Sequence, residues 1–151
     1  MTTNKLRGIV PPVVTPLRSQ TELDLPGLAR LVDHLVDGGV AGLFILGTTG
    51  EGPAIPVKLR YELVEQTAKA LQGRRPLLVG VSDTSLEESV QLAHHAAKCG
   101  AYAVVATPTY YFPRLERDHV RYFQLLADRS PLPVFVYNMP ACVGVKLSVE
   151  A

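Results

Sequence analysis

Short runs of consecutive apolar residues alternate along this chain with longer stretches in which apolar positions recur every three or four residues. The first kind suits strands covered on both faces, and the second suits amphipathic helices. Residues 8–14, Gly-Ile-Val-Pro-Pro-Val-Val, open the series as a short strand that Thr15 and Pro16 end, because proline cannot continue a central ladder. From Asp24 the period changes. Asp24 can cap, Pro26 suits a first turn, and Leu28, Leu31, Val32, Leu35 and Val36 make one stripe that Gly38 and Gly39 stop. The run at 43–46 predicts a second strand, and the stripe Leu59, Leu63, Thr67 and Leu71 predicts a helix over 56–71 that Gly73 ends. A third strand is expected at 77–81. Ser85 and Glu88 then form an S-x-x-E capping box for a helix through Val90, Ala93 and Ala97 to Gly100. A fourth strand at 102–106, a loop at 107–113, a helix near 115–127 and a fifth strand at 133–137 complete the pattern, and residues 147–151 are expected to begin a sixth helix.

Strands alternating with helices of this length imply right-handed βαβ units and a parallel sheet. The junctions repeat as well: Asp37-Gly38-Gly39 and Lys98-Cys99-Gly100 each end a helix on glycine and turn directly into a strand. Two topologies satisfy such a pattern. Five strands can close a small doubly wound domain, or they can form the front of an eight-stranded (β/α) barrel, which typically needs about 250 residues.

Composition narrows the function classes. A chain of 151 residues with 47% hydrophobic and 19% charged residues has material for one core and one domain. Its 15 basic and 14 acidic residues are interspersed and leave a net charge of +1, so no field favours nucleic acid or anionic lipid. The N-terminus has no long apolar core, and nowhere do about 18 apolar residues run together, so a cytoplasmic location is expected. Cys99 and Cys142 lack C-x-x-C spacing and read as buried packing residues in a reducing compartment. His94 and His95 are adjacent, without the i, i+4 spacing of a helical metal pair, and His34 and His119 lie on other helices. Neither a metal nor a cofactor is expected. The pairs Arg74-Arg75 and Arg114-x-x-Arg117 read as solvated surface.

Ligands of parallel α/β proteins sit at the carboxyl ends of the strands, so the loops there carry the candidate chemistry. In Gly47-Thr48-Thr49-Gly50-Glu51 the glycines allow a sharp turn that points N–H groups outward, and two hydroxyls add donors: a cradle for a carboxylate, or equally a tight strand-to-helix turn. Tyr110-Tyr111 follows the fourth strand and Tyr137-Asn138-Met139-Pro140 the fifth. A tyrosine at a strand end can place its hydroxyl over a barrel mouth and exchange a proton there; singly, each is as readily a wedge between strand and helix. Together with the glycine-threonine loop they make a polar cluster at one end of one sheet. No G-x-G-x-x-G or G-K-[ST] is present, so nucleotide binding has no support.

These residues resemble the dihydrodipicolinate synthase and N-acetylneuraminate lyase family of pyruvate-type class I aldolases. The resemblance runs through residues 8–16, Gly47-Thr48-Thr49-Gly50-Glu51, Gly80-Val81-Ser82-Asp83-Thr84, Thr107-Pro108-x-Tyr110-Tyr111, and Tyr137-Asn138-x-Pro140 with Gly144. It implies a TIM barrel, present here through about five β/α units, with residues 1–151 as the N-terminal portion of one barrel domain. It also implies a Schiff-base lyase acting on pyruvate or a related 2-oxo acid. By resemblance Gly47, Thr48, Thr49 and Gly50 hold the substrate carboxylate, Tyr137 shuttles a proton, and Thr48 links it to Tyr110. That last tyrosine can reach a neighbouring subunit's site in the family, so a homo-oligomer is expected.

Two positions depart from the family. Dihydrodipicolinate synthases usually carry an arginine two residues after the proline of the tyrosine-asparagine motif, where it binds the second substrate's carboxylate; Cys142 stands there. A neutral residue favours a sugar-derived or less acidic 2-oxo acid. The Schiff-base lysine of the family belongs to a sixth strand, due roughly 25 to 35 residues after the fifth by the length of a strand-plus-helix unit. Lys5, Lys58, Lys69, Lys98 and Lys146 all fall at the terminus, on predicted helices or past the tyrosine loop. A chain of these 151 residues is therefore expected to be inactive alone. The alternatives are a non-catalytic 2-oxo acid binder or half-barrel interaction protein, and a doubly wound domain of unrelated function.

Overall fold

The computed structural model describes residues 6–150. A short hairpin, β1 (Leu17–Ser19) and β2 (Glu22–Leu23), precedes helix α1 (Leu25–Asp37). Strand and helix then alternate: β3 (Leu43–Ile45), α2 (Val57–Leu71), β4 (Leu77–Gly80), α3 (Leu86–Lys98), β5 (Ala103–Ala106), α4 (Glu116–Arg129), β6 (Val134–Val136) and a four-residue helix α5 (Pro140–Val143).

The strands β3, β4, β5 and β6 pair in chain order, and every pair is parallel. A doubly wound sheet reverses its strand order at a switch point. No reversal occurs here, which removes the doubly wound alternative and leaves the wall of a (β/α) barrel. Side chains alternate across that wall with period two. Leu43, Ile45, Leu77, Val79 and Val104 point one way and pack with Leu28, Leu59, Leu63, Ala93 and Leu126 of the helices. Phe44, Leu78, Ala103, Val105 and Tyr137 gather on the other face, where a barrel would have its interior. Both faces are apolar, which is why these strands read as continuous hydrophobic runs.

The predicted first strand is present as an irregular edge. The Ala41 N–H donates to the Ile9 carbonyl at 2.8 Å, Phe44 to Pro11 at 3.1 Å, and Val13 to the Phe44 carbonyl at 2.8 Å, so residues 9–13 run along β3. Only one regular bridge forms, between Pro12 and Phe44. Pro11 and Pro12 have no N–H to extend the ladder. The hairpin after it escapes the sequence pattern because Arg18, Ser19, Gln20, Thr21 and Glu22 show no alternation; Leu23 alone anchors it, at 3% exposure.

The helix boundaries follow their caps. Asp24 Oδ1 accepts from the Gly27 N–H at 3.1 Å, as expected of an N-cap. The expected capping box at α3 is half realised: Ser85 Oγ accepts from the Glu88 N–H at 3.4 Å, but the Ser85 N–H donates at 3.0 Å to Asp83 Oδ1 rather than to Glu88. A residue two positions upstream has taken the reciprocal role. At the other end no helix occupies residues 147–150, and residue 151 lies outside the described residues. The Asn138 side chain holds this segment instead, donating to the Leu147 carbonyl at 3.1 Å and accepting from the Leu147 N–H at 3.2 Å, while Leu147 is buried. Of the arginine pair at 74–75, Arg74 is on the surface as expected. Arg74 donates to Asp33 at 2.6 Å, and Arg75 is partly buried.

Candidate active site

The end of β3 fixes the site's geometry. Leu46 has φ +58°, in the left-handed region that costs a residue with a Cβ roughly 1–2 kcal/mol. Its carbonyl lies so close to the α-carbons of Gly52 and Gly80 that a Cβ on either glycine would collide with it. Glu51, five residues on, is also left-handed at φ +53°. Between them the chain closes on itself: Glu51 N–H donates to the Thr48 carbonyl at 3.0 Å and Gly52 N–H to the Gly47 carbonyl at 3.2 Å. Thr15 Oγ1 ties the turn to the edge segment through the Gly50 carbonyl at 2.7 Å. Two strained non-glycine residues in one loop mark a conformation that its surroundings enforce, as happens at functional sites.

This turn forms one side of a cavity of about 330 Å³ at the carboxyl ends of the strands. Gly47, Thr48, Tyr110 and Tyr137 all line it. Thr49 and Gly50 do not: Thr49 is exposed, and Gly50 is buried beneath the turn. Tyr137 stands edge-on to Phe44, ring centroids 6.1 Å apart. Burial pushes the Tyr110 phenol above its ordinary value of 10, with Asp83 adding to the rise and Arg60 opposing it, so this hydroxyl keeps its proton at neutral pH and can donate a hydrogen bond. The three hydroxyls of Thr48, Tyr110 and Tyr137 share the cavity, but no hydrogen bond joins any two of them. The expected link from Thr48 to Tyr110 is thus a shared wall rather than a bond.

Three further residues line the cavity beyond the turn and the tyrosines expected there. Ser82 Oγ accepts from the Thr107 N–H at 2.9 Å, bracing the loop after β5 against the loop after β4. Thr107 Oγ1 is buried without a partner in the cavity wall. Such an orphan costs roughly 1–3 kcal/mol unless water or a bound group satisfies it. In the sequence both stand in motifs that carry the family resemblance, but nothing there assigned either a contact in the site. Cys142 is the third. It was expected to be a buried packing residue, but it is exposed on the cavity's rim, because α5 lifts it off the sheet; Cys99 is partly buried between helices.

Lys58, Lys69, Lys98 and Lys146 are all exposed, and none lines the cavity. Lys5 lies outside the described residues. Among the described residues no group of three His, Cys, Asp or Glu side chains could hold a metal ion, and no helix is long and apolar enough to cross a membrane.

Parallel β/α units added in chain order, with a cavity at the carboxyl ends of their strands whose largely apolar wall carries a few hydroxyls, define the front half of a TIM barrel. The chain belongs to the dihydrodipicolinate synthetase family, which it matches over residues 5–151. It is 38% identical over 141 residues to a putative 2-dehydro-3-deoxy-D-gluconate aldolase, YagE of Escherichia coli, covering 93% of this chain and 47% of YagE. It is 34% identical over 150 residues to a 4-hydroxy-tetrahydrodipicolinate synthase of Gluconacetobacter diazotrophicus, covering 99% of this chain and 50% of the relative. Among solved structures, a dihydrodipicolinate synthase from Bacteroides thetaiotaomicron superposes with a TM-score of 0.89 at 48% identity, over 94% of this chain and 48% of its own. YagE in complex with pyruvate superposes equally well, with a TM-score of 0.89 at 38% identity, over 93% of this chain and 47% of its own. The chain spans about half the length of the relatives it matches.

Proposed function

We propose that this chain carries the carboxylate-binding and proton-shuttling half of a Schiff-base lyase acting on pyruvate or a related 2-oxo acid. The observation that carries the reading is one cavity walled by Gly47, Thr48, Tyr110 and Tyr137, with no lysine of the described residues beside it. The lysine then comes from a strand beyond β6. Its amine attacks the ketone carbon and expels water, giving a protonated imine. That imine accepts the electron pair when the bond between the third and fourth carbons breaks, so an enamine forms as the fourth carbon's hydroxyl loses its proton and becomes a carbonyl. Tyr137 shuttles this proton, which the enamine carbon regains before water releases the product.

Gly47 and Thr48 take the substrate carboxylate, and Thr49 and Gly50 shape the turn that presents them. Thr107 Oγ1 supplies a further contact to the bound molecule. Cys142 on the rim offers no positive charge, which supports a polyhydroxylated 2-oxo acid over an acidic second substrate. The likeness to the gluconate-derived aldolase points the same way. Tyr110 reaching a neighbour would make activity depend on a homo-oligomer in a soluble, cytoplasmic setting.

Borohydride trapping with pyruvate tests the reading. The 151-residue chain gives no covalent adduct by mass spectrometry, and a chain extended through the next barrel strand gives one adduct on a lysine of that strand. An adduct on one of the five lysines of residues 1–151 would overturn it.

A further inference from the structure

Arg60 and Asp83 stand outside the cavity, yet they connect the two loops that wall it. Arg60 belongs to the second turn of α2, and its guanidinium is shared among three acceptors. Nε donates to the Ile55 carbonyl at 3.3 Å, Nη2 to the Pro53 carbonyl at 3.3 Å, and Nη1 to Asp83 Oδ2 at 2.8 Å. The side chains are only 12% and 17% exposed, so the ion pair is shielded from solvent on most sides. The second oxygen of Asp83 accepts from the Ser85 N–H at 3.0 Å. One side chain therefore fixes the far end of the loop after β3, and its partner fixes the loop after β4.

The connection continues into the cavity wall. Pro53 and Ala54 line the cavity beside the carbonyls that Arg60 holds, and Ser82, next to Asp83, lines it while accepting from Thr107 N–H at 2.9 Å. Loops from three successive strand ends are thus joined in series: residues 53–55 to Arg60, Arg60 to Asp83, and Ser82 to Thr107. Neither Arg60 nor Asp83 is among the lining residues, so neither touches a molecule bound there. A planar guanidinium is suited to this task, because its donors diverge in a fixed fork that a lysine ammonium cannot reproduce.

We propose that Arg60 and Asp83 are positioning residues, a clamp that sets the spacing between the Thr48 turn and the Ser82–Thr107 wall and so fixes the geometry in which a 2-oxo acid is bound. The proposal rests on the carboxylate-binding reading above. Loss of the clamp misplaces Thr48 and Ser82 relative to each other, and displacements of about 1 Å at such distances lower site performance on the order of 100-fold.

Two measurements on the 151-residue chain separate the clamp from the reading it rests on. Hydrogen exchange in Arg60→Met accelerates at the amides of residues 47–55 and 82–85 while those of β3 to β5 keep their protection. Pyruvate affinity by calorimetry falls roughly 10- to 100-fold, and Arg60→Lys recovers only part of it. Asp83→Asn is isosteric, keeps the acceptor for Ser85, and gives the same pattern in weaker form should Arg60→Met fail to fold. Unchanged exchange in the two loops overturns the clamp, as does faster exchange with unchanged affinity. Faster loop exchange in a chain whose unaltered form binds no pyruvate leaves the clamp standing and overturns the binding reading.

Discussion

At the scale of single residues the site depends on an approach between backbones that only glycine permits. Gly80 lets the end of β4 lie against the Leu46 carbonyl, and the opposing atom is backbone, which cannot rotate away. Gly80→Ala therefore forces a shift of β3 against β4 and costs about 3 kcal/mol, at the upper end of overpacking in a close-packed interior. Gly73 offers the contrast: its φ is +70° but nothing lies within 4 Å of a Cβ there, so Gly73→Ala costs only the left-handed strain of about 1 kcal/mol. Urea unfolding of the two variants checks the ranking, and equal losses would contradict it. Gly47 and Gly50 made the turn legible from the sequence. Leu46 gave no such signal, since its left-handed backbone shows only in the fold, where its carbonyl meets Gly52 and Gly80. Thr107 stands in a motif of the resemblance, but its orphaned hydroxyl was not legible, because it exists only once three loops have met.

At the scale of elements, α4 shows how polar groups, two buried pairs and one exposed ion pair, dock a helix. Tyr122 pairs with Ser89 of α3 at 3.1 Å, Arg129 makes a two-pronged bond to Glu87 at 2.6 and 2.8 Å, and His119 Nδ1 lies 3.5 Å from Thr109 Oγ1. His119 is fully buried, with its Nε2 unpartnered. Burial holds its pKa below the ordinary 6.5, Arg114 adds in the same direction, and Asp118 and Glu116 oppose both. A depressed histidine means that the unfolded chain binds more protons between the two values. Stability is complete above about pH 6.5 and declines as pH falls through the folded value. Urea midpoints at pH 7.5 and pH 5 are expected to differ less in His119→Gln than in the unaltered chain, and equal differences would refute the assignment. The helices were the legible part of the fold, since their stripes and caps are local. The edge segment at 9–13, the hairpin at 17–23 and α5 were less so. The first has prolines where ladder donors belong, and the other two are too short to show a period.

At the scale of the whole molecule, two apolar faces on one sheet distinguish a barrel wall from a single-layer domain. The inner face borders a groove of about 340 Å³ lined by Val10, Phe44, Leu78, Val105 and Phe135, among others. On β6 Phe135 is 45% exposed and Val136 53%. Among the described residues β6 has a strand neighbour on one side only. An exposed apolar edge promotes strand-to-strand association, and a lysine there opposes it. The 151-residue chain is expected to associate with rising concentration in light scattering, and Val136→Lys to shift that association to higher concentration while changing stability by no more than about 0.5 kcal/mol. Unchanged association would show that the edge is not the contact. The family resemblance made the barrel legible ahead of the structure. The clamp of Arg60 and Asp83 was not, because its partners are 23 residues apart, one on α2 and one in the loop after β4, and nothing in the sequence pattern connects them.

The order of the strands also bears on how the molecule is made. Each of β4, β5 and β6 docks on the strand synthesised just before it, with one helix between them. Every such pairing spans one crossover, from Leu43 to Leu77, Leu78 to Ala103 or Val104 to Val134, and needs no partner yet to be translated. A ribosome releasing this sequence therefore exposes each new strand to a finished neighbour. The wall and its Thr48 turn can assemble while the remainder of a barrel is still unmade.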